Sequence, residues 1–283
     1  MNKYKTLLTI AAFLTSFSGF SQKMACCSQS APQQFASLGN DVEFRGSHSL
    51  PRTSEYKGDG KMVIFSTPDG KEAKAFLIPA RVPTNKWVIV FHEWWGLNNN
   101  IKNEAQKLHG DLDEINILAL DLYDGPVAED RDKAREYMQN AKDGRIRNII
   151  NGAITYAGEG ADIGTIGWCY GGGWSLQAAI MLGDKADGCV MYYGMPELEV
   201  DKLEKLQTPV LGIFAKNDSW ITPEKVDQFR QSMQEAQREL EVITFDANHA
   251  FANPSNENYS NVAAGKAYSA AVSFLRGHLN LAN

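Results

Sequence analysis

The sequence predicts an α/β fold, a mostly parallel, doubly covered β-sheet with flanking helices. Three observations predict it. Short apolar runs alternate with segments of helical spacing along most of the 283 residues. Several runs, WVIVFHE among them, are continuously apolar, as strands buried on both faces must be. The composition is that of an ordinary globular chain, 43% hydrophobic and 22% charged, and the length suits one large domain. No internal repeat or long low-complexity tract interrupts the pattern.

Residues 1–22 are expected to be a signal peptide. MNKYK carries two lysines, TLLTIAAFLTSFSGF is apolar but short for a membrane span, and Ser21 and Gln22 make a small polar cleavage zone. This predicts an exported protein, periplasmic or secreted. Lipid attachment at Cys26 is disfavoured, because Lys23-Met24-Ala25 is a poor lead-in. Residues 23–58, rich in Ser, Gln and Gly, are expected to form a polar tail, and residues 59–283 the catalytic-sized domain.

The domain opens with MVIFST and EAKAFLIPA, an antiparallel pair around the turn TPDGK. WVIVFHE is the first central strand, followed by the helix NIKNEAQKLHGDL and the buried strand INILALDLY. The stretch from AEDRDKAREYMQN to IINGAITYAGE has room for two helices. A strand then runs into GWCYGGG, and a helix follows. CVMYYG, PVLGIFAKND and LEVITFD are further strands, with a helix over KVDQFRQSMQEAQ. The segment AAGKAYSAAVSFLRGHL closes the chain as a helix. In such sheets, ligands bind outside the carboxyl ends of the strands.

The formal net charge is −6, and losing Lys3 and Lys5 with the leader would make it more negative by two. With no basic stripe, nucleic acid and anionic membrane are poor candidates as partners. The four cysteines show neither a CxxC nor a zinc spacing, and they do not make a disulfide framework. Cys189, in CVMYYG, reads as a small buried hydrophobe. Cys169 does not.

Cys169 sits in GWCYGGG, between an apolar strand and a helix. A nucleophile at the tip of such an elbow needs small residues two before and two after it, because the turn crowds them together. Gly167 and Gly171 meet that need. The helix start behind Cys169 offers unpaired N–H groups and partial positive charge to a thiolate. The five-residue pattern alone is equally compatible with a glycine-rich turn around a buried cysteine, so the partners decide.

Five histidines are available as the base. His48 lies in the tail, and His109 and His278 fall in helix-like segments where surface positions suit them. His249 follows the strand LEVITFD, on the same sheet edge as Cys169. Asp218, directly after PVLGIFAKN, is the orienting carboxylate; Asp246, three residues from His249, is better suited to capping its loop. Nucleophile, acid and histidine then occur in the order typical of α/β-hydrolases, each just past a different strand. Glu93 ends the first central strand, where it either caps the next helix or faces the thiol. HEWWG is not a zinc motif, since the second histidine is missing.

HEWWGLN, DLYDG, GWCYGGG, KNDSWITP and NHAF in this order resemble the dienelactone hydrolase family within the α/β-hydrolases, from about residue 61 to the C-terminus. The resemblance implies a Cys169–Asp218–His249 triad, a Glu93 that acts on the resting thiol, and an oxyanion hole from the backbone N–H groups of Trp94 and Tyr170. It implies a small ester or lactone as substrate, with no metal and no other cofactor. One departure concerns specificity. Relatives acting on dienelactones carry an arginine shortly after HAF, where this chain has Asn253. Tryptophans cluster near the catalytic positions instead, which predicts an apolar or aromatic pocket with Trp95, Trp220 and Phe251 in it. The rival expectations are a ligand-binding or a thiol-redox protein on the same scaffold; the second would want a resolving cysteine near Cys169.

Overall fold

In a computed structural model, residues 29–52 and 54–281 are described. The expected leader, its cleavage zone, Cys26 and Cys27 lie outside the described residues. The tail does not remain a tail. It folds into helices α1 (Ala31–Ser37) and α2 (Val42–Gly46). Ser30 caps α1 through a capping box with Gln33, and Asp41 caps α2 by accepting from the N–H groups of Glu43 and Phe44. Phe35 and Phe44 are fully buried, so this segment docks on the domain rather than trailing from it.

The strands and helices expected from the sequence follow. β1 (Lys61–Ser66) and β2 (Glu72–Ile78) pair antiparallel around a turn closed by Thr67 and Lys71, with Gly70 at φ 76°. After them come β3 (Lys86–Phe91), α3 (Asn99–Leu112), β4 (Asn116–Leu120), α4 (Arg131–Asn140) and α5 (Asp143–Ala157). β5 (Asp162–Trp168) leads into α6 (Tyr170–Leu182), and β6 (Ala186–Tyr192) follows. A short α7 (Val200–Leu203), which the sequence reading missed, precedes β7 (Val210–Ala215), α8 (Pro223–Glu235), β8 (Leu240–Phe245) and α9 (Asn261–His278).

The eight strands form one sheet in the order β1-β2-β4-β3-β5-β6-β7-β8. β1, β2 and β4 pair antiparallel in sequence, and every pair from β4 to β8 is parallel. Side chains alternate across β5, which shows how both faces are covered. A Cβ on Gly164 would lie 3.0 Å from Leu275 of α9. Its neighbour Thr165 donates to the Ser175 carbonyl of α6. α9 and α6 therefore cover opposite faces, with α3 beside α9 and α5 beside α6. The central strand residues Val88–Phe91, Ile117–Leu120 and Val190–Tyr192 are buried, which explains their continuous apolar runs. Because β3, β5, β7 and β8 run parallel, their carboxyl ends share one edge. Glu93, Cys169, Asp218 and His249 all follow at that edge.

Two histidines differ from their expected places. His109 is buried on α3 and pairs through Nε2 with the Pro79 carbonyl. His48, expected in a free tail, is buried against the residues at the sheet edge. The tail expectation failed there because Phe35 and Phe44 dock and carry His48 with them.

Candidate active site

Cys169 occupies the elbow between β5 and α6, with φ 58° and ψ −121°. A non-glycine residue in this region is strained and persists only where its surroundings hold it. Here they do. A Cβ on Gly167 would sit 2.1 Å from the Gly171 carbonyl oxygen, and one on Gly171 would sit 2.3 Å from that of Phe91. The backbone thus passes through a gap that only glycines leave open. The Cys169 N–H is held by the Tyr192 carbonyl at 3.0 Å.

Burial pushes the Cys169 thiol well above its usual range, and the Glu93 charge pushes it further. The nearby backbone N–H groups of Tyr170 and Trp94 pull the other way. These are the two residues with N–H groups expected to form an oxyanion hole, and both lie beside the sulfur.

His249 follows β8, and its Nδ1 lies 2.6 Å from Asp218 Oδ2. Burial opposes ionisation of Asp218. The charge and hydrogen bond of His249 and the N–H groups of Ile221 and Trp220 outweigh it, so the carboxyl lies below the ordinary carboxylate range. An ionised carboxylate can only accept, so Nδ1 of His249 carries a proton and donates it, and in the neutral ring Nε2 keeps its lone pair. That Nε2 is buried with no hydrogen-bond partner among the described residues. Asp246 is elsewhere, accepting from Asn217.

Glu93 is buried, and burial raises its carboxyl to about 7 against the opposing effects of His249 and Asn253. Asn253 donates to its Oε2 at 2.6 Å. The asparagine standing where an arginine was sought therefore secures the glutamate. His92 fixes the same turn. Its Nδ1 donates to the Glu93 carbonyl at 2.6 Å, and its Nε2 accepts from the Leu122 N–H. Glu93 does not cap α3; Asn98 does.

The sequence reading missed His48. Its Nδ1 donates to the Phe44 carbonyl at 2.6 Å, and its Nε2 lies 3.9 Å from the Cys169 sulfur. Its ring centroid is 5.3 Å from that of His249 and 4.8 Å from that of Trp94. Arg131 holds the His48 carbonyl from α4. Burial, reinforced by the charge of His249, lowers His48 to about 3. The signal that could have found it is local: a capping box, then apolar Phe35 and Phe44, with His48 two residues past the end of the short helix that Phe44 anchors.

A cavity of about 350 Å³ opens beside this cluster, with Arg52, Glu93, Trp168, Tyr193 and Asn253 in its wall. Trp95, Trp220 and Phe251, expected around the substrate, do not line it. Trp95 is packed 4.8 Å from Trp94, and Phe251 5.5 Å from Tyr193. Trp220 stacks edge-on to Phe44, and its Nε1 donates to Asp41. Trp95 thus packs in the core and Trp220 holds the N-terminal segment, while Trp168 is the tryptophan that reaches the cavity.

Fold and site together define an α/β-hydrolase-type chain with a Cys-His-Asp arrangement. The chain belongs to the dienelactone hydrolase family, whose model matches residues 74–279. It is 28% identical to a protein of Aquifex aeolicus provisionally named carboxymethylenebutenolidase, over 78% of this chain and 99% of that one. It is 29% identical to the carboxymethylenebutenolidase of Pseudomonas sp. strain P51, over 40% of this chain and 47% of that protein. A crystal structure of a dienelactone hydrolase-like promiscuous phosphotriesterase from metagenomic libraries shares the fold, with a TM-score of 0.65 at 20% identity. That match covers 78% of this chain and 99% of the other. The family places the chain among hydrolases of small lactones and esters.

Proposed function

We infer that the protein hydrolyses small carboxylic esters or lactones through a thioester on Cys169. The observation that carries this is the strained Cys169 at the β5–α6 elbow, with the backbone N–H groups of Trp94 and Tyr170 beside its sulfur. Beside it, His249 presents a free Nε2 backed by Asp218. His249 takes the thiol proton as the sulfur bonds the substrate carbonyl carbon. The resulting oxyanion is held by the N–H groups of Trp94 and Tyr170. The C–O bond to the leaving group then breaks, and His249 returns the proton to that oxygen. Water, deprotonated by His249, attacks the thioester and breaks the C–S bond.

Glu93 serves the resting state. Its charge disfavours a second negative charge on the sulfur, which keeps the thiol neutral and slow to oxidise until substrate arrives. The cavity offers Arg52 as its guanidinium, in reach of a substrate carrying a carboxylate elsewhere than the one the dienelactone pattern would place at Asn253.

The test is hydrolysis of short-chain aryl esters and simple lactones by the wild type, Cys169→Ala and Cys169→Ser. Turnover by the wild type with loss of at least about 10³-fold in Cys169→Ala is expected, together with a mass increment of one acyl group on Cys169 under rapid quench. Equal rates for folded wild type and Cys169→Ala would sink the reading.

A further inference from the structure

We propose that Cys169, His48 and His249 form a binding site for a thiophilic cation such as Zn²⁺, closed by docking of the N-terminal segment. The inference does not rest on the hydrolase reading, because occupation of the site would disable that chemistry.

Three donors of the kind such cations prefer converge here. The Cys169 sulfur and one nitrogen of each imidazole all lie within 4.8 Å of one another, and all three residues are buried. The tautomers are set for it. Nδ1 of His48 is committed to the Phe44 carbonyl and Nδ1 of His249 to Asp218, so both imidazoles turn Nε2 inward, the nitrogen that bears the lone pair in the neutral ring. A backbone carbonyl and a carboxylate on the far nitrogens are the supports that metal-bound histidines ordinarily have.

A second observation is independent of the spacing. Nε2 of His249 is fully buried and has no hydrogen-bond partner among the described residues. A buried acceptor left unsatisfied costs free energy, and a cation would satisfy it. The catalytic reading uses that nitrogen but leaves His48 without a task. The cation accounts for both.

The size is suitable. The Cys169 sulfur and His48 Nε2 lie 3.9 Å apart, and no pair of donors exceeds 4.8 Å. Around a tetrahedral ion with bonds of about 2.0 to 2.3 Å such donors stand about 3.3 to 3.5 Å apart, so closing on the cation takes a contraction of at most about 1.5 Å between them. Binding replaces the thiol S–H bond by a metal–sulfur bond, and the proton leaves to buffer. Three protein ligands leave one position open, for water or a substrate oxygen. The His48 ligand arrives with α1 and α2, so binding the cation and docking the segment favour each other.

The test uses the reduced full chain carrying Cys26→Ser and Cys27→Ser, which leaves Cys169 and Cys189 as its thiols. It is titrated with Co²⁺ by absorbance, and with Zn²⁺ in competition with a chromophoric chelator. One equivalent of Co²⁺ should produce a thiolate-to-metal charge-transfer band and intense four-coordinate visible bands. Adding Cys169→Ser should abolish the charge-transfer band, and adding His48→Gln should weaken Zn²⁺ binding at least about ten-fold. Adding Cys189→Ser should change neither, with folding of every variant checked by circular dichroism. Absence of the band in the parent, a band that survives Cys169→Ser, or unchanged affinity in folded His48→Gln would each overturn the proposal. Ester turnover of chelator-treated parent is read in parallel. Turnover without metal binding sinks the cation site alone, and metal binding without turnover sinks the hydrolase reading alone.

Discussion

Gly171 shows how closely the backbone around Cys169 is packed. Its absent side chain lets the start of α6 lie against the carbonyls of Phe91 and His92, at the end of β3. A Cβ there would meet those two oxygens at 2.3 and 2.5 Å, and both belong to a buried backbone that cannot retreat. Gly171→Ala should therefore destabilise the fold by on the order of 3 kcal/mol, at the upper end for overpacking. It should also separate the Trp94 and Tyr170 N–H groups. Denaturant unfolding measures the first effect, and a loss of less than about 1 kcal/mol would contradict it. This part of the site was legible in the sequence because its cause is local. G-x-C-x-G between an apolar run and a helix is a statement about crowding, and crowding is what the structure shows. The roles of Trp95 and Phe251 were not legible, since an aromatic residue beside a catalytic one looks the same in sequence whether it faces substrate or core.

At the scale of elements, the least legible part was the segment carrying α1 and α2. Its composition is polar, its helices are short, and such helices are unstable alone. Only docking of Phe35 and Phe44 makes them form. The strands of the domain were legible for the opposite reason, since each carries its burial in its own run of apolar residues. Phe44 contacts His48, Trp94, Trp220 and His249, with ring centroids 4.4, 5.5, 5.3 and 6.2 Å away. Truncating such a residue costs about 3 kcal/mol or more. If that cost falls on docking, the open population grows more than a hundred-fold. Phe44→Ala should thus raise the rate at which an aryl disulfide reagent labels Cys169 by at least about ten-fold, in protein lacking Cys26 and Cys27. An unchanged rate would show that the segment does not control access to the sulfur.

For the whole molecule, the buried ionisable groups of the site act on stability in opposite directions, and pH separates them. His48 is lowered to about 3 in the fold from an ordinary 6.5. Below 6.5 the unfolded chain binds a proton there that the native one refuses, so this contribution is present above 6.5 and is lost as pH falls toward 3. Glu93 is raised to about 7 from 4.5. Its native proton stabilises the fold below 4.5, and this contribution is lost as pH rises through 7. Between about pH 5 and 6.5 each group changes stability by up to about 1.4 kcal/mol per pH unit, with opposite sign. Other groups set the slope of the wild type, but the differences between variants isolate these two. In chelator-treated protein, the folding stability of His48→Gln should rise less steeply with pH than that of the wild type. Glu93→Gln should rise more steeply. The same pair should leave the stability difference from wild type constant above pH 8, where His48 is neutral and Glu93 ionised in both states. Urea unfolding at half-unit intervals of pH checks this. Parallel curves for all three proteins would mean that neither group is held in the fold as its burial requires. The groups concerned come from the docked segment and from the end of β3, so one titration reports whether the N-terminal segment and the sheet edge are joined in solution as they are in the structure.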